Sequence, residues 1–131
     1  LPGLYGDYGQ LKQLFSNLLD NSIKFSKETG GNISVNSSSL TPEEKQRYTL
    51  NHNGAYGKIT VADNGIGFRD EYASKIFEPF VRLNARSRYP GSGMGLAICK
   101  KIIENNNGII YAKGEENKGA NFTIILPQSF D

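Results

Sequence analysis

Asn17 and Asn21 lie four residues apart in a segment whose apolar spacing predicts a helix, so both amides project from one side of it. Amide oxygens are hard, neutral ligands that suit Mg²⁺, an ion that keeps several waters and borrows phosphate oxygens from a nucleotide. Lys24 continues the same stripe and places a cation where phosphate charge would lie. Taken alone, this pattern is more typical of ordinary polar residues along the rim of a helix.

Asp63 follows an apolar strand and precedes two glycines, Gly65 and Gly67. A carboxylate at a strand end can accept a hydrogen bond from an exocyclic amine, which would select adenine. The glycines would let the backbone bend tightly and let a flat base approach. Alone, the same residues are more typical of a simple strand-to-turn junction.

Gly91, Gly93 and Gly95 alternate directly before a predicted helix that begins around Leu96. Backbone N–H groups at a helix start attract anions, and glycines remove side chains that would block the approach. A long loop rather than a strand precedes these glycines, and no Gly-Lys-Ser/Thr follows. The pattern therefore fits neither a Rossmann fingerprint nor a Walker A loop.

The elements that must position these residues follow from hydrophobic periodicity. A long amphipathic helix is predicted from about Gly6 to Phe25, and its apolar arc comprises Leu11, Leu14, Phe15, Leu18, Ser22 and Phe25. Strands are predicted over 32–36, 56–62, 108–113 and 121–126, a short helix over 70–77, and a second long helix after Gly93, capped by Asn107 and Gly108. This order predicts an α+β fold, a two-layer α/β sandwich with a mixed sheet covered on one face by helices.

Two connections stand out from the regular elements. Residues 37–57 form an insert in which Ser37–Ser39 is predicted as loop, and Thr41, Pro42 and Glu44 have the pattern of a helix start with a capping box. A short surface helix is our prediction there, with a disordered insert as the alternative. Residues 78–92 have little periodicity and are predicted to be a long flexible loop, which usually signals function or disorder.

Composition limits the possibilities further. The 131 residues suffice for a single domain spanning 1–131, and 37% hydrophobic and 21% charged residues are typical of a globular protein. A net charge of +2 gives no reason to expect a nucleic-acid partner. Cys99, the only cysteine, falls in an apolar helical pattern and is predicted to be a buried structural thiol. Because the chain opens at Leu1-Pro2, we expect it to be a fragment of a longer protein.

In combination, the motifs closely resemble the catalytic and ATP-binding domain of two-component sensor histidine kinases, which has the Bergerat-type fold. The resemblance runs from about Asp7 to Pro127, nearly the whole chain. Residues 17–25 (NLLDNSIKF) resemble the N box, 63–68 (DNGIGF) the first glycine box, 76–83 (IFEPFVRL) the F box, 91–98 (GSGMGLAI) the second glycine box and 119–127 (GANFTIILP) the closing strand. Four boxes in the right order make the resemblance highly specific.

The resemblance implies ATP and Mg²⁺ as cofactors and a role for each matching residue. Asn21 would be the main metal ligand, with Asn17 supporting the metal or its water and Lys24 contacting phosphates. Phe25 would lie near the ribose or base, and Asp63 would bind the adenine amino group. The other implied nucleotide-site residues are Gly65 and Gly67 around the base, Phe77 and Phe80 as anchors of the lid (78–92), Arg82 at the γ-phosphate, and Gly91, Gly93, Gly95 and Leu96 at the phosphate-facing lid end.

The implied activity is transfer of the γ-phosphoryl group to a histidine on the dimerisation domain of a parent kinase. That domain is absent from this chain. A response-regulator receiver domain would be the next partner. The parent would be homodimeric and the isolated domain monomeric. The resemblance implies a cytoplasmic location for the domain and leaves open whether the parent is membrane-anchored. His52, the only histidine, lies in the insert and is expected to be a solvated loop residue rather than the phosphoacceptor.

Asn17 also separates this chain from rival functions. The gyrase and mismatch-repair ATPases have a similar fold and place a water-activating carboxylate at this position, as the anti-sigma serine kinases do. An amide cannot act as a general base at neutral pH, so histidine phosphorylation is favoured over hydrolysis. A non-catalytic nucleotide-sensing module is the alternative from another class. The chain departs from the family pattern at three places. It has Ser92 where threonine is usual, Asn106-Asn107-Gly108 where His-Gly-Gly is common, and a longer insert over 37–57.

Overall fold

The computed structural model describes residues 7–24, 31–48, 56–78 and 95–127, with the side chains of Lys24 and Tyr48 left aside. In chain order the elements are α1 (Tyr8–Lys24), β1 (Ile33–Ser39), α2 (Pro42–Tyr48), β2 (Tyr56–Asp63), a 3-10 turn (Asp70–Tyr72), α3 (Gly95–Asn105), β3 (Ile109–Glu115) and β4 (Gly119–Pro127). Several of the predictions concern residues outside these described ranges. They are the predictions for Phe25, His52, Phe80, Arg82, Gly91, Gly93 and most of the 78–92 lid.

Helix α1 begins at a side-chain cap and packs one stripe into the core. Asp7 Oδ1 accepts a hydrogen bond from the Gln10 backbone N–H at 2.9 Å, which satisfies one of the free donors at the helix start. Leu14, Leu18 and Ser22, spaced by one turn, have no solvent exposure. The predicted apolar arc is therefore confirmed as far as Ser22.

The sheet has the strand order β1-β2-β4-β3, and each described neighbour pair is antiparallel. This corrects the prediction of a mixed sheet for the described strands. Strands β2 and β3 do run in the same direction, as a connection through helix α3 predicts. However, β4 folds back from β3 as a hairpin and lies between them, so the two parallel strands are not hydrogen-bonded neighbours.

Helices α1 and α3 cover one face of the sheet and form the main core with it. The buried residues of this core include Leu14 and Leu18 of α1, Cys99 and Ile103 of α3, and strand residues Val61, Ala112, Phe122, Ile124 and Leu126. Deleting a buried methylene-rich side chain from such a cluster typically costs about 2–5 kcal/mol. Since this face ends at Asp63 on β2, the same packing that stabilises the fold also positions the predicted base-binding carboxylate.

The insert contains the predicted short surface helix, α2, which lies on the other face of the sheet from α1 and α3. Thr41 and Glu44 form the predicted capping box: Thr41 N donates to Glu44 Oε1 at 3.1 Å, and Glu44 N donates to Thr41 Oγ1 at 3.2 Å. Glu44 Oε1 also lies 2.8 Å from Lys58 Nζ of β2, and this hydrogen bond lowers the pKa of the Glu44 carboxyl. Leu40, which leads into α2, is buried with Tyr56 and Ile125.

Two local predictions were wrong. Residues 37–39 are not loop but the end of β1, where Ser37 pairs with Ile59 and Ser39 with Gly57. Their polar side chains gave no strand pattern because the whole of this edge strand is exposed. The segment 70–77, predicted as a helix, is a single 3-10 turn followed by further turns. One contact holds each end: Asp70 Oδ1 accepts a hydrogen bond from Gly114 N at 3.2 Å, and Phe77 packs edge-on against Phe122.

Helix α3 ends as predicted. Asn107 adopts a left-handed conformation with φ of 62°, and Gly108 N donates to Ile103 O at 2.9 Å. Of the helices in the described ranges, none combines the length and the apolar character needed to cross a membrane.

Candidate active site

A buried asparagine fixes how the two long helices lie against each other. Asn106, at the end of α3, accepts a hydrogen bond from Asp7 N at 2.8 Å through its Oδ1 and donates through Nδ2 to Gln10 Oε1 at 2.9 Å. These bonds join the C-terminal end of α3 to the N-terminal end of α1. The helices are therefore antiparallel, and the C-terminal end of α1 lies beside the N-terminal end of α3.

The strand register places both of those helix ends at the same end of the sheet. Helix α3 runs directly into β3, so its C-terminal end lies near Ile109, which pairs with Ile125. At the other end of the sheet Asp63 pairs with Ala120, and Ala120 with Gly114. Three parts of the chain are therefore found at the same end of the sheet. They are the end of α1 with Asn21, the start of α3 with Gly95, and Asp63 at the end of β2.

The asparagine stripe borders the seam between α1 and α3. Asn17 and Asn21 are both half-buried. Burial raises the pKa of the Cys99 thiol of α3 to about 12, and the neighbouring Asn17 side chain acts on this pKa in the opposite direction. Cys99 Sγ donates to Leu14 O at 3.8 Å. The thiol thus stays protonated at neutral pH, as expected for a structural cysteine.

Asp63 is half-buried and held by its own turn. Its Oδ1 accepts a hydrogen bond from Gly65 N at 2.9 Å. An ionised carboxylate has a second oxygen with its own lone pairs, so this bond orients the group while leaving acceptor capacity for a ligand. The geometry is suited to an amino group presented at the end of β2.

Asn64 is a site-supporting residue that sequence reasoning missed. Its Oδ1 accepts from Asn32 N at 2.7 Å, and its backbone N donates to Asn32 O at 3.2 Å. The pair fixes the turn after Asp63 to the start of β1. An Asx residue at the start of a glycine turn could have suggested such a bond, but not its partner 32 residues earlier.

Two glycines at this end are required by the protein's own backbone. Gly67 has φ of 63°, and a Cβ there would lie 2.6 Å from Gly119 O and overlap Glu115 O. Gly119 has φ of 124°, and a Cβ there would overlap Asp63 O. The sequence-based explanation for Gly67 was access for a base; the structure adds a second reason, which is close packing against the β3–β4 hairpin.

Two further features fit a nucleotide in this region. Ser22 Oγ, one residue after Asn21, is fully buried and has no hydrogen-bond partner within the described ranges. A Cβ built on Gly95 would meet no atom of the described residues within 4 Å. A buried polar atom without a partner is what a site with space for a polar ligand would show.

The remaining predicted residues are placed as follows. Phe77 is buried in the core, and its ring centroid lies 6.3 Å from that of Phe122. Leu96 is half-buried and packs against the same core. Lys24 is the last residue of α1.

The described residues contain no cluster of acidic, histidine or cysteine side chains that could bind a metal ion. An open depression of about 450 Å³ lies at the Asp63 end and is lined, among the described residues, by Asp63, Asp70 and residues of the β3–β4 hairpin rather than by α1 or α3. Any metal at this site would depend on the amides and on ligand oxygens.

Comparison with known proteins gives the same family across the chain. Residues 6–129 match the family described as histidine kinase-, DNA gyrase B-, and HSP90-like ATPase. Among curated proteins, cyanobacterial phytochrome A of Nostoc sp. is 39% identical over 97% of this chain and 15% of its own length. The adaptive-response sensory kinase SasA of Synechococcus elongatus is 33% identical over 97% of this chain and 30% of its own. The chain thus spans less than a third of these relatives.

Solved structures of histidine kinases have the same fold as this chain. The mycobacterial sensor histidine kinase MprB superposes with a TM-score of 0.77 at 26% identity, over 95% of this chain and 76% of that one. The catalytic domain of histidine kinase ThkA gives a TM-score of 0.69 at 28% identity, over 95% and 70%. ShkA in complex with AMPPNP gives 0.74 at 28% identity, over 98% and 24%.

Proposed function

We propose that this chain, which belongs to the histidine kinase-, DNA gyrase B-, and HSP90-like ATPase family, is the Mg-ATP-binding catalytic domain of a sensor histidine kinase. It transfers the γ-phosphoryl group to a histidine on the dimerisation domain of its parent. The observation that carries the proposal is the convergence of Asn21, Asp63 and Gly95 at one end of the sheet. Helix-borne amides, a base-binding carboxylate and a glycine at a helix start are parts that position and neutralise a nucleotide's base and phosphates.

Adenine is held at the end of β2. The half-buried Asp63 carboxylate, oriented by Gly65 N, accepts a hydrogen bond from the exocyclic amino group. Gly65 and Gly67 shape the pocket beside the base, and Phe25 lies near the ribose or base. Because Asn64 fixes this turn to β1, the carboxylate is preorganised before the nucleotide arrives.

The phosphates lie along the seam between α1 and α3. Asn21, supported by Asn17, holds Mg²⁺, which neutralises phosphate charge when bound. Lys24 and Arg82 contact the phosphates, and Gly91, Gly93 and Gly95 carry the phosphate-facing end of the lid. Phe77 and Phe80 anchor that lid, and the burial of Phe77 in the core is compatible with this role.

Transfer rather than hydrolysis follows from Asn17. An amide cannot take a proton from water at neutral pH, so Asn17 leaves no general base at this position. The acceptor histidine is supplied by the parent's dimerisation domain, and a response-regulator receiver domain takes the phosphoryl group next. The parent is homodimeric, and the isolated domain is monomeric.

The isolated chain should bind Mg-ATP but should not label itself. Calorimetry with ATP and Mg²⁺ is expected to give a single site, and incubation with γ-labelled ATP should leave the chain unlabelled, because the proposal places the acceptor histidine on another domain. Stoichiometric label on the chain itself would contradict the assignment of the acceptor to another domain. Absence of ATP binding would contradict the proposed function as a whole.

Asn21→Ala should remove the metal-dependent part of nucleotide affinity. Losing the amide ligand is expected to weaken Mg-ATP binding roughly tenfold or more, down to the affinity measured in excess EDTA, which should itself be unchanged. Gln13→Ala, at an exposed amide of the same helix, is the matched control. Equal Mg²⁺ dependence in the variant and wild type would remove Asn21 from the metal site.

A further inference from the structure

The hairpin that joins β3 to β4 packs along the segment 66–70, which begins within the turn after Asp63. Each residue of this segment has a contact with the hairpin. The contacts are Ile66 O to Asn117 N, Gly67 to Glu115 O and Gly119 O, the Phe68 ring to Gly114, Arg69 to Glu116, and Asp70 to Gly114 N. Because β2 lies between β1 and β4, the turn is held on one side by β1 and on the other by this hairpin.

The contact of Asn117 is the one that lies nearest to the base-binding carboxylate. Asn117 N donates to Ile66 O at 2.7 Å, and Ile66 stands between Gly65 and Gly67 in the chain. Gly65 N is the donor that orients the Asp63 carboxylate. Since these residues are adjacent in one tight turn, a shift of the Ile66 carbonyl would move both this donor and the backbone beside the base.

Asn117 makes its contact from an uncommon backbone conformation. Its φ is 62°, and among the described residues other than glycine only Asn107 also has a positive φ. Asparagine adopts this left-handed region more readily than most residues, whereas a β-branched residue is strongly disfavoured there. The Asn117 side chain is exposed, so we attribute its effect to the direction of its N–H group rather than to side-chain packing.

The charged residues at the tip of the hairpin are too exposed to fix the turn by themselves. Arg69 Nε lies 2.7 Å from Glu116 Oε1, but both side chains are more than half exposed. Such pairs contribute little to stability, because water screens the charges and ordering two long side chains costs entropy. The backbone hydrogen bond from Asn117 is therefore the polar contact between the tip and the turn that carries the argument.

We propose that Asn117 is a positioning residue of the base site, whose left-handed backbone holds Ile66 O and thereby fixes the turn that presents Asp63 to adenine. This inference rests on the proposed function. Asn117 acts through the turn and not by contact with the nucleotide. Disturbing it should lower base affinity and base selectivity, but it should leave the metal-dependent part of the affinity unchanged, because Asn21 is carried by α1.

The test compares Asn117→Val with Asn107→Val. Asn107 also has a φ of 62° and an exposed side chain, but it follows α3 at the opposite end of the sheet from Asp63. The two substitutions therefore impose a similar backbone cost at opposite ends of the fold. Affinities for ADP and GDP are measured by calorimetry, both with Mg²⁺ and in excess EDTA, and unfolding midpoints are measured by circular dichroism.

Both variants should lower the unfolding midpoint by a comparable amount, but only Asn117→Val should weaken ADP binding. The expected loss is roughly three- to tenfold, about the value of one hydrogen bond, with a smaller preference for ADP over GDP. The gain in affinity on adding Mg²⁺ should stay as in wild type. Asn117→Gly keeps the N–H group and can keep the left-handed conformation, so it should bind ADP as wild type does.

Three results would overturn the inference while leaving the proposed function intact. They are wild-type ADP affinity in Asn117→Val, an equal loss of affinity in Asn107→Val, and a loss in Asn117→Gly as large as in Asn117→Val. A wild-type chain that binds no ADP would instead overturn the proposed function. Should Asn117→Val fail to fold, Asn117→Ala replaces it: weakened ADP binding supports the role, and wild-type affinity refutes it.

Discussion

Replacing Asp63 with asparagine should weaken ATP binding by roughly 10- to 100-fold while the domain stays folded. The change keeps the size of the side chain. It also keeps an oxygen that can accept the hydrogen bond from Gly65 N, which lies 2.9 Å from Asp63 Oδ1 in the wild-type structure. It removes the negative charge that strengthens a hydrogen bond from the adenine amino group, and hydrogen bonds to charged groups are worth about 1.5–3 kcal/mol. It also places a second amino group where an acceptor is needed.

Calorimetry and circular dichroism check this prediction together. Asp20→Asn makes the same isosteric change at an exposed carboxylate of α1 and should leave ATP affinity unchanged. Unchanged ATP affinity in Asp63→Asn, with a native unfolding transition, would remove this residue from base recognition. A loss of affinity together with a lost transition would show that Asp63 acts through folding instead.

Gly119→Ala should be the most destabilising single-methyl change in the described part of the chain. The glycine has φ of 124°, which a side chain rarely adopts, and a Cβ would overlap the carbonyl oxygen of Asp63. Because the obstacle is backbone rather than a flexible side chain, β2 and β4 would have to separate. We expect a loss of about 3 kcal/mol or more in the free energy of unfolding, with weaker ATP binding because Asp63 moves.

Urea unfolding of Gly119→Ala against Gly9→Ala measures this effect. Gly9 lies in the first turn of α1, where a Cβ would meet only Asp7 Oδ1 at an ordinary 3.5 Å, so this control should be neutral or slightly stabilising. A Gly119→Ala variant as stable as wild type would mean that the close approach of β4 to Asp63 is not a constraint of the fold.

Patterns that are local in sequence predicted local structure well. The one-turn spacing of Leu14, Leu18 and Ser22 predicted the buried stripe of α1, and Thr41 with Glu44 predicted the capping box. Each depends on residues within a turn or two of one another, so periodicity and capping chemistry suffice. The four boxes likewise indicated the family, because their order is specific.

Features that depend on distant partners could not be predicted. The antiparallel pairing follows from β4 entering between β2 and β3, which no single strand pattern encodes. Helix α2 packs on the second face through Lys58, and Asn106 joins the helices across 99 residues of sequence to Asp7. Gly67 is explained partly by the hairpin around Gly119, which becomes visible only in three dimensions.

Transfer of label to histidine tests the central claim most directly. The chain is incubated with Mg²⁺, γ-labelled ATP and the helical, histidine-bearing dimerisation domain of its parent, in wild-type form and as Asn21→Ala. We predict acid-labile, alkali-stable label on the partner domain with wild type, one ADP per phosphoryl group transferred, and little label with the variant. Release of free phosphate without labelled partner, or tight ATP binding with neither product, would contradict the account.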